Sequence, residues 1–189
     1  MGGRILTRDT ALRALAAAVV GAAVVVGFWW LRSPEATKVK VGDPAPDLEL
    51  RSLGATEKSR LSSFRGRPVL LVMFLSNCHL CEAEMPEIER LNRMMLPRGL
   101  VVVGVSADED RAALQRFVQR HQVTFPVLED PGGRALREAW GSWKLPEAYL
   151  IDASGKVAAV WLGSVNWRGD DVRDAILRVL PPRKPGSPW

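Results

Sequence analysis

Cys78 and Cys81 are the two residues whose type and spacing point most directly to chemistry. They are the only cysteines in 189 residues, and two residues separate them in the stretch LSNCHLCEAEMP. A thiol pair at this spacing can close and reopen a disulfide, or it can supply two sulfur ligands to a metal ion. The surrounding residues must decide between a redox couple, half of a metal site and two ordinary core residues.

The sequence places both cysteines at the start of a helix that follows a buried strand. Residues 67–76, RPVLLVMFLS, are a continuous apolar run, and a helical pattern follows to about Met95. The N–H groups and the dipole at a helix N-terminus stabilise a thiolate. Cys78, at the exposed tip, is therefore the predicted nucleophile, and Cys81, one turn further in, is the predicted resolving thiol. His79 adds a possible cation beside Cys78.

The same helix carries an acid on the face that is predicted to pack against the sheet. A spacing of three and four residues puts one stripe through Cys81, Glu84, Ile88, Leu91 and Met95. Glu84 is therefore expected beside Cys81 and partly withdrawn from water, where it can exchange a proton with that thiol. The alternative is that Glu84 extends to solvent, because buried glutamates are rare. The other polar residues of the helix are predicted to face outward.

Metal binding is the main alternative use of the cysteines. Structural zinc needs two more ligands, and His121 is the only histidine besides His79, so zinc is disfavoured. Two thiolates together with His79 or Met85 could hold a soft copper ion, which leaves a non-enzymatic copper carrier open. For a redox couple, no cofactor is expected beyond the redox-active disulfide.

The rest of the chain predicts a compact α/β domain. The predicted elements are a strand at 99–107, a helix with Asp108 as its N-cap, the strand TFPVLED, a short helical GRALREAW, the strands AYLID and VAAVWLG turning at Ser154-Gly155, and a closing helix RGDDVRDAILRVL. The cysteines fall at the C-terminal end of a central strand, where open α/β sheets place reactive groups. Most of the tryptophans at 140, 143, 161 and 167 are predicted core residues, with an aromatic surface around the site as the alternative.

The N-terminal region predicts a membrane anchor. Residues 14–31 hold no charge, and a helix of that length spans roughly 27 Å, close to the ~30 Å hydrocarbon core. Bulky aromatic residues end this run where a cleavage site needs small ones, so a retained signal anchor is preferred to a cleaved signal peptide. Residues 1–13 would then be a short cytoplasmic leader, 32–45 a linker, 46–180 the domain and 181–189 a disordered Pro-rich tail.

The net charge of +5 does not indicate nucleic-acid binding. Residues 1–40 hold six basic and two acidic side chains, or +4, whereas residues 41–189 hold twenty and nineteen, or +1. The basic excess therefore lies beside the apolar segment and not on a folded face that could follow a phosphate backbone.

Three segments are distinctive: VGDPAPDLEL at 41–50, RGRPVLLVMFLSNCHLCEAEMPEIERL at 65–91 and LPEAYLIDASGKV at 145–157. Together they resemble the TlpA/ResA-type thioredoxin-like proteins, a redoxin family whose members are often membrane-anchored. The resemblance covers about residues 41–180. It implies a thioredoxin-like fold, with a central mixed sheet flanked by helices, in a thiol-disulfide oxidoreductase on the extracytoplasmic, periplasmic side of a single-pass anchor.

The resemblance also assigns roles to site residues. Cys78 and Cys81 match the redox pair, and Glu84 matches the acid of an E-x-P motif. Pro146 matches the cis-proline that faces the active site, which lets Leu145 offer backbone groups to a partner chain. A trans proline that opens the next strand is the alternative.

Two positions depart from the family pattern. Asn77 stands where the family usually has Trp, and His79-Leu80 replaces the usual Gly-Pro or x-Pro pair. Without that proline the turn is less rigid, and His79 is a candidate to stabilise the thiolate, which would make the couple more oxidising. Asn77 and His79 are therefore predicted modulators, and the reduction potential is not carried over from the family.

The predicted function is reduction of disulfides in partner proteins. The resemblance implies apocytochrome c or copper-site assembly proteins as partners, and an upstream membrane thiol reductase as the electron source. A peroxiredoxin-like thiol peroxidase is an alternative, because that branch shares the entry strand RGRPVLLVMF. Its usual motif is incomplete here, since the proline is missing and Ser76 lies two, not three, residues before Cys78.

Overall fold

The computed structural model describes residues 18–21 and 38–182, and residues 38–182 belong to one compact unit. Residues 18–21 are helical. Within these two ranges, no helix combines the length and apolarity needed to cross a bilayer. The predicted anchor at 14–31 lies outside the described residues except for 18–21. The predicted leader and the last seven residues of the predicted tail also lie outside them.

A seven-stranded mixed sheet forms the centre of the domain. Its strands are β1 (Glu49–Ser52), β2 (Lys58–Arg60), β3 (Val69–Phe74), β4 (Val101–Ser106), β5 (Val127–Glu129), β6 (Glu147–Ile151) and β7 (Val157–Leu162). They lie in the order β2-β1-β5-β4-β3-β6-β7. Strand β4 runs parallel to β3 and β5, whereas β6 is antiparallel to β3 and β7. The strand that leads to the cysteines therefore lies inside the sheet, between β4 and β6.

Three α-helices accompany the sheet, together with shorter helical turns. They are α1 (His79–Met95), α2 (Arg111–Arg120) and α3 (Asp170–Val179), with 3-10 turns at Leu61–Phe64, Leu96–Arg98 and Pro131–Gly133 and a π-helical turn at Leu136–Trp140. All six residues of β3 are buried, as a strand covered on both faces requires. Leu70 packs in one core cluster with Ile88 of α1 and Ile176 of α3, while Leu71 packs in the other with Trp140.

The predicted central strands, the hairpin and the closing helix are confirmed. Strand β2, at one edge of the sheet, and its neighbour β1 were not predicted, because they are short and polar and expose alternate side chains. Residues 38–45, the described part of the predicted linker, run along the domain. There Val39 is buried, and the Lys38 N–H donates to the carbonyl of Trp140 at 3.1 Å.

Helix α1 buries a wider face than the predicted stripe. Glu89 and Asn92, which were predicted to face outward, are both buried. The carboxylate of Glu89 accepts hydrogen bonds from Thr124 N at 2.9 Å and Thr124 Oγ1 at 2.7 Å, and from Arg93 Nε at 2.7 Å. Burial by itself would raise the pKa of Glu89, but these hydrogen bonds hold it below its ordinary value. The prediction that Glu89 faces outward was wrong, because Thr124, which lies far along the chain, donates two hydrogen bonds to the buried carboxylate.

Helix α2 begins two residues later than the sequence indicates. Its N-cap is Asp110, whose Oδ1 accepts from the N–H groups of Ala112 at 2.8 Å and Ala113 at 3.1 Å. The prediction of Asp108 as N-cap was therefore wrong. Asp108 lies closer to the end of β4, and its carboxylate binds Ser76 and Ser106 instead.

Candidate active site

The two cysteines lie where β3 ends and α1 begins. They form a disulfide, with their Cα atoms 5.2 Å apart. Cys78 is the N-cap of α1, and its Sγ accepts a hydrogen bond from Cys81 N at 3.2 Å. When the pair is reduced, a donor at this position favours a thiolate on Cys78, because it stabilises the charged form of the sulfur.

The two sulfur-bearing residues differ in their access to a partner. Cys81 is only 2% exposed and belongs to the core cluster under α1, whereas Cys78 is partly exposed. Asn77 and His79, which flank Cys78, are both exposed. An incoming disulfide therefore meets Cys78 first, in agreement with the predicted order of attack. The effect of Asn77 and His79 on the potential stays a prediction.

Glu84 lies one helical turn beyond Cys81 and is buried, with 7% of its surface exposed. Its Oε1 accepts from Val165 N at 2.8 Å, and its Oε2 accepts from Trp167 Nε1 at 2.9 Å. Residues three apart on a helix have Cβ atoms roughly 5–6 Å from each other, so the Glu84 side chain leaves α1 beside that of Cys81. The predicted burial is confirmed, and the alternative of a solvent-facing Glu84 is wrong.

Trp167 has a part in the site that the sequence did not reveal. The sequence predicts core positions for most of the four tryptophans, and Trp167 is buried, but its indole N–H also donates to Glu84. Trp161 packs beside it, with ring centroids 6.1 Å apart. The sequence could not indicate this hydrogen bond, because 83 residues separate Trp167 from Glu84.

An ion pair between Arg168 and Glu87 joins the loop of Trp167 to α1. The guanidinium of Arg168 donates to both oxygens of Glu87, with Nε 2.8 Å from Oε2 and Nη2 2.6 Å from Oε1. Arg90 Nε donates to Glu87 Oε2 at 2.9 Å. These hydrogen bonds, first from Arg168 and then from Arg90, lower the pKa of Glu87 from 4.5 to about 2.

The Glu87→Gln variant is expected to lose part of the acid sensitivity of the fold. Because the folded pKa lies below the unfolded one, the Glu87 charge stabilises the fold above pH 4.5, and this contribution disappears as the pH falls toward 2. The free energy of unfolding should therefore differ between wild type and variant at pH 6, and the difference should shrink toward pH 2. Denaturant titrations across this range measure it. Glu138→Gln, at the exposed pair with Arg134, is the control. Parallel wild-type and Glu87→Gln curves would contradict the assignment.

Cys78 lines an open groove of about 770 Å³. Leu145 lines it, and the Leu145–Pro146 peptide bond is cis, as expected. Trp143, at 63% exposure, lines the groove as well, and the Arg137 guanidinium lies 5.9 Å from the centroid of its ring. Of the four tryptophans considered above, Trp143 supplies an exposed aromatic surface beside the site.

These features define the class of thiol-disulfide oxidoreductases with a thioredoxin-like fold. They are an accessible thiol at a helix N-terminus, a buried second thiol behind it and a cis-proline next to the groove.

The comparisons with known proteins specify the family. The AhpC/TSA family matches residues 41–160. The ResA thiol-disulfide oxidoreductases of Geobacillus thermodenitrificans and Geobacillus kaustophilus are 30% and 31% identical to the chain, each over 93% of it and 97% of the relative. The chain therefore belongs to the AhpC/TSA family and, within it, with the ResA-type thiol-disulfide oxidoreductases.

Solved structures agree with this fold. A Chlorobium tepidum protein described as a thiol:disulfide interchange protein DsbE superposes with a TM-score of 0.69 at 27% identity, covering 75% of this chain and 99% of its own. The thioredoxin domain of a Bacteroides vulgatus thiol-disulfide oxidoreductase superposes with a TM-score of 0.67 at 20% identity, covering 76% and 100%. The predicted thioredoxin-like fold, with its mixed sheet between helices, is confirmed.

Proposed function

We propose that this oxidoreductase is tethered to the cell membrane and reduces disulfides of partner proteins on the extracytoplasmic side. The observation that carries the redox part of the proposal is the hydrogen bond from Cys81 N to the sulfur of Cys78, which lines the groove. A donor there favours the thiolate, which is the attacking form of a thiol. The partly exposed Cys78 then reacts with the partner, while the buried Cys81 is kept for the second step.

The reaction consists of two balanced exchanges. The Cys78 thiolate attacks one sulfur of the partner disulfide, that S–S bond breaks, and the departing partner sulfur takes up a proton. Cys81 then loses its proton and attacks the Cys78 sulfur, which breaks the mixed disulfide and closes the Cys78–Cys81 bond. The second partner sulfur leaves as a thiolate. Two electrons pass from the cysteine pair to the partner in total, and each partner sulfur takes up its proton from the solvent.

Glu84 is the proposed acceptor of the Cys81 proton. Its carboxylate is held by Val165 N and Trp167 Nε1, so it cannot turn away from the helix stripe that it shares with Cys81. A carboxylate oxygen can accept more than one hydrogen bond, so both oxygens keep capacity for a proton. The same group would return the proton when the disulfide is next reduced.

The groove beside Cys78 is the proposed binding site for the partner segment. Leu145 would offer backbone groups to that segment, and the exposed ring of Trp143 would pack against it. Apocytochrome c or copper-site assembly proteins are the proposed partners, and an upstream membrane thiol reductase would restore the dithiol. Support for these partners is the resemblance to ResA-type proteins.

The proposed tether is the uncharged segment 14–31. Its length suits a single crossing of the bilayer, and the aromatic residues at its end suit the interface with water. A tether confines the domain to one membrane surface, which raises its effective concentration toward partners at that surface.

One experiment on the full chain tests the redox role and the location together. Intact cells that express the chain are equilibrated in reduced and oxidised thiol buffers, and free thiols are then labelled with a membrane-impermeant maleimide. The chain should sediment with membranes, react without lysis and titrate as one two-electron couple near the ~−270 mV of thioredoxin.

The alternative outcomes of this experiment separate the parts of the proposal. A soluble chain, or labelling only after lysis, would refute the location and leave the chemistry intact. A potential near ~−120 mV would make the protein a disulfide donor and point to His79. No reversible couple at all would refute the reductant, and copper retention after purification would then be the next assay.

A further inference from the structure

The turn ahead of Cys78 is held by an aspartate, Asp108, from the loop that follows β4. Strand β3 ends at Phe74, and the last bond of its ladder with β4 runs from Ala107 N to Phe74 O at 3.0 Å. Beyond that point the side chain of Asp108 replaces the backbone as acceptor. Its Oδ2 lies 2.9 Å from Ser76 N, and its Oδ1 lies 3.1 Å from Ser76 N and 2.6 Å from Ser76 Oγ.

Asp108 is itself held in place by Ser106. Ser106, which is fully buried at the end of β4, donates its hydroxyl to Asp108 Oδ2 at 2.6 Å and accepts from Asp108 N at 3.0 Å. The carboxylate therefore joins the end of β4 to the residue two positions before Cys78. The proposed mechanism of disulfide exchange does not use this network.

We propose that Asp108 is a positioning residue for Cys78, acting on the reduced form of the enzyme. The inference concerns the exchange chemistry of the cysteine pair and does not depend on the proposed tether or partners. In the oxidised form the disulfide itself keeps Cys78 at the N-terminus of α1. After reduction that covalent link is gone, and the hydrogen bonds of Asp108 to Ser76 keep the Cys78 sulfur near the N–H of Cys81.

The direction in which removal of Asp108 shifts the redox equilibrium distinguishes a positioning role from a direct influence of its charge. Asp108 and Cys78 line the same groove, so a negative charge on Asp108 acting through space would destabilise the thiolate. Its removal would then favour the reduced form. If Asp108 acts by positioning, its removal frees Cys78 from the helix N-terminus, and the reduced form loses stability.

The test measures the equilibrium of the cysteine pair with reduced and oxidised glutathione, in the purified full chain, for two variants. Asp108→Ala should lower the equilibrium constant for oxidation of glutathione by the protein about tenfold, which corresponds to a potential about 30 mV more negative. Ser76→Ala removes only the hydroxyl bond, without a change in charge, and should lower the constant by about threefold. Ser76→Ala also gives an answer if Asp108→Ala is too unstable to titrate.

Asp47→Ala is the matched control, because Asp47 binds Ser62 through the same pair of contacts. Its Oδ1 accepts from Ser62 N at 2.8 Å and its Oδ2 from Ser62 Oγ at 2.6 Å, in a region that Val69 lines at the other end of β3. This variant should lose stability and leave the equilibrium constant unchanged. The proposal is overturned if Ser76→Ala and Asp108→Ala, like Asp47→Ala, leave the equilibrium constant unchanged, or if Asp108→Ala raises it.

Discussion

The Cys78→Ala variant is expected to lose its activity toward disulfide substrates, by a factor of about 10³ or more. Cys78 is partly exposed and lines the groove, and its position at the N-terminus of α1 favours the thiolate. Cys81 is 2% exposed and cannot meet a folded partner without rearrangement. Removal of Cys78 therefore removes the attacking group itself.

The Cys81→Ala variant is the matched comparison, because it also removes one thiol and abolishes the internal disulfide. It keeps the nucleophile, so it should attack a partner once and remain bound to it. Non-reducing electrophoresis after incubation with a protein substrate should show a mixed disulfide for Cys81→Ala and none for Cys78→Ala. If the mixed disulfide accumulates on Cys78→Ala instead, the order of attack is reversed and the assignment of the two thiols is wrong.

The elements that carry the cysteines were predictable because their patterns are local. The run at 67–76 is apolar at nearly every position, which is typical of a strand covered on both faces. The stripe from Cys81 through Glu84 follows the helical period and places the acid under the second thiol. Cys-x-x-Cys at the junction of the two elements then predicts the candidate site without knowledge of the tertiary structure.

The contacts that hold these groups in place could not be predicted, because they join distant parts of the chain. Trp167 meets Glu84 across 83 residues, from a loop without periodicity. Residues 108, 109 and 110 are all acidic, as is typical at the start of a helix, so the sequence does not show which of them caps α2. Asp110 does so because Asp108 is already engaged by Ser76, a residue 32 positions away.

The Glu84→Gln variant is expected to slow the attack of Cys81 on the mixed disulfide by about 10²-fold. Glutamine has the same shape, but its amide does not take up a proton at neutral pH. In a single turnover, the mixed disulfide of Cys78 with a partner should form at nearly the normal rate and decay slowly. Rapid quenching with acid and separation of the covalent complex would follow both steps.

Stability must be separated from chemistry in this variant. The amide has one oxygen, whereas Val165 N and Trp167 Nε1 each require an acceptor from Glu84, so one buried donor loses its partner at a cost of about 1–3 kcal/mol. Trp167→Phe removes the indole donor and leaves the carboxylate in place, which makes it the control for this loss. The double variant Glu84→Gln with Trp167→Phe should recover part of the stability, because the remaining oxygen can accept from Val165 N.

The comparison of these three variants decides the role of Glu84. If Glu84 carries the proton of Cys81, Trp167→Phe keeps a fast second exchange, while both variants that lack the carboxylate are slow whatever their stability. If Glu84 only holds the loop at Val165 against α1, the rate of the second exchange should follow stability, and the double variant should be faster than Glu84→Gln alone. A carboxylate fixed by two donors beside a buried thiol favours the first outcome, because its placement costs little further reorganisation when the proton moves.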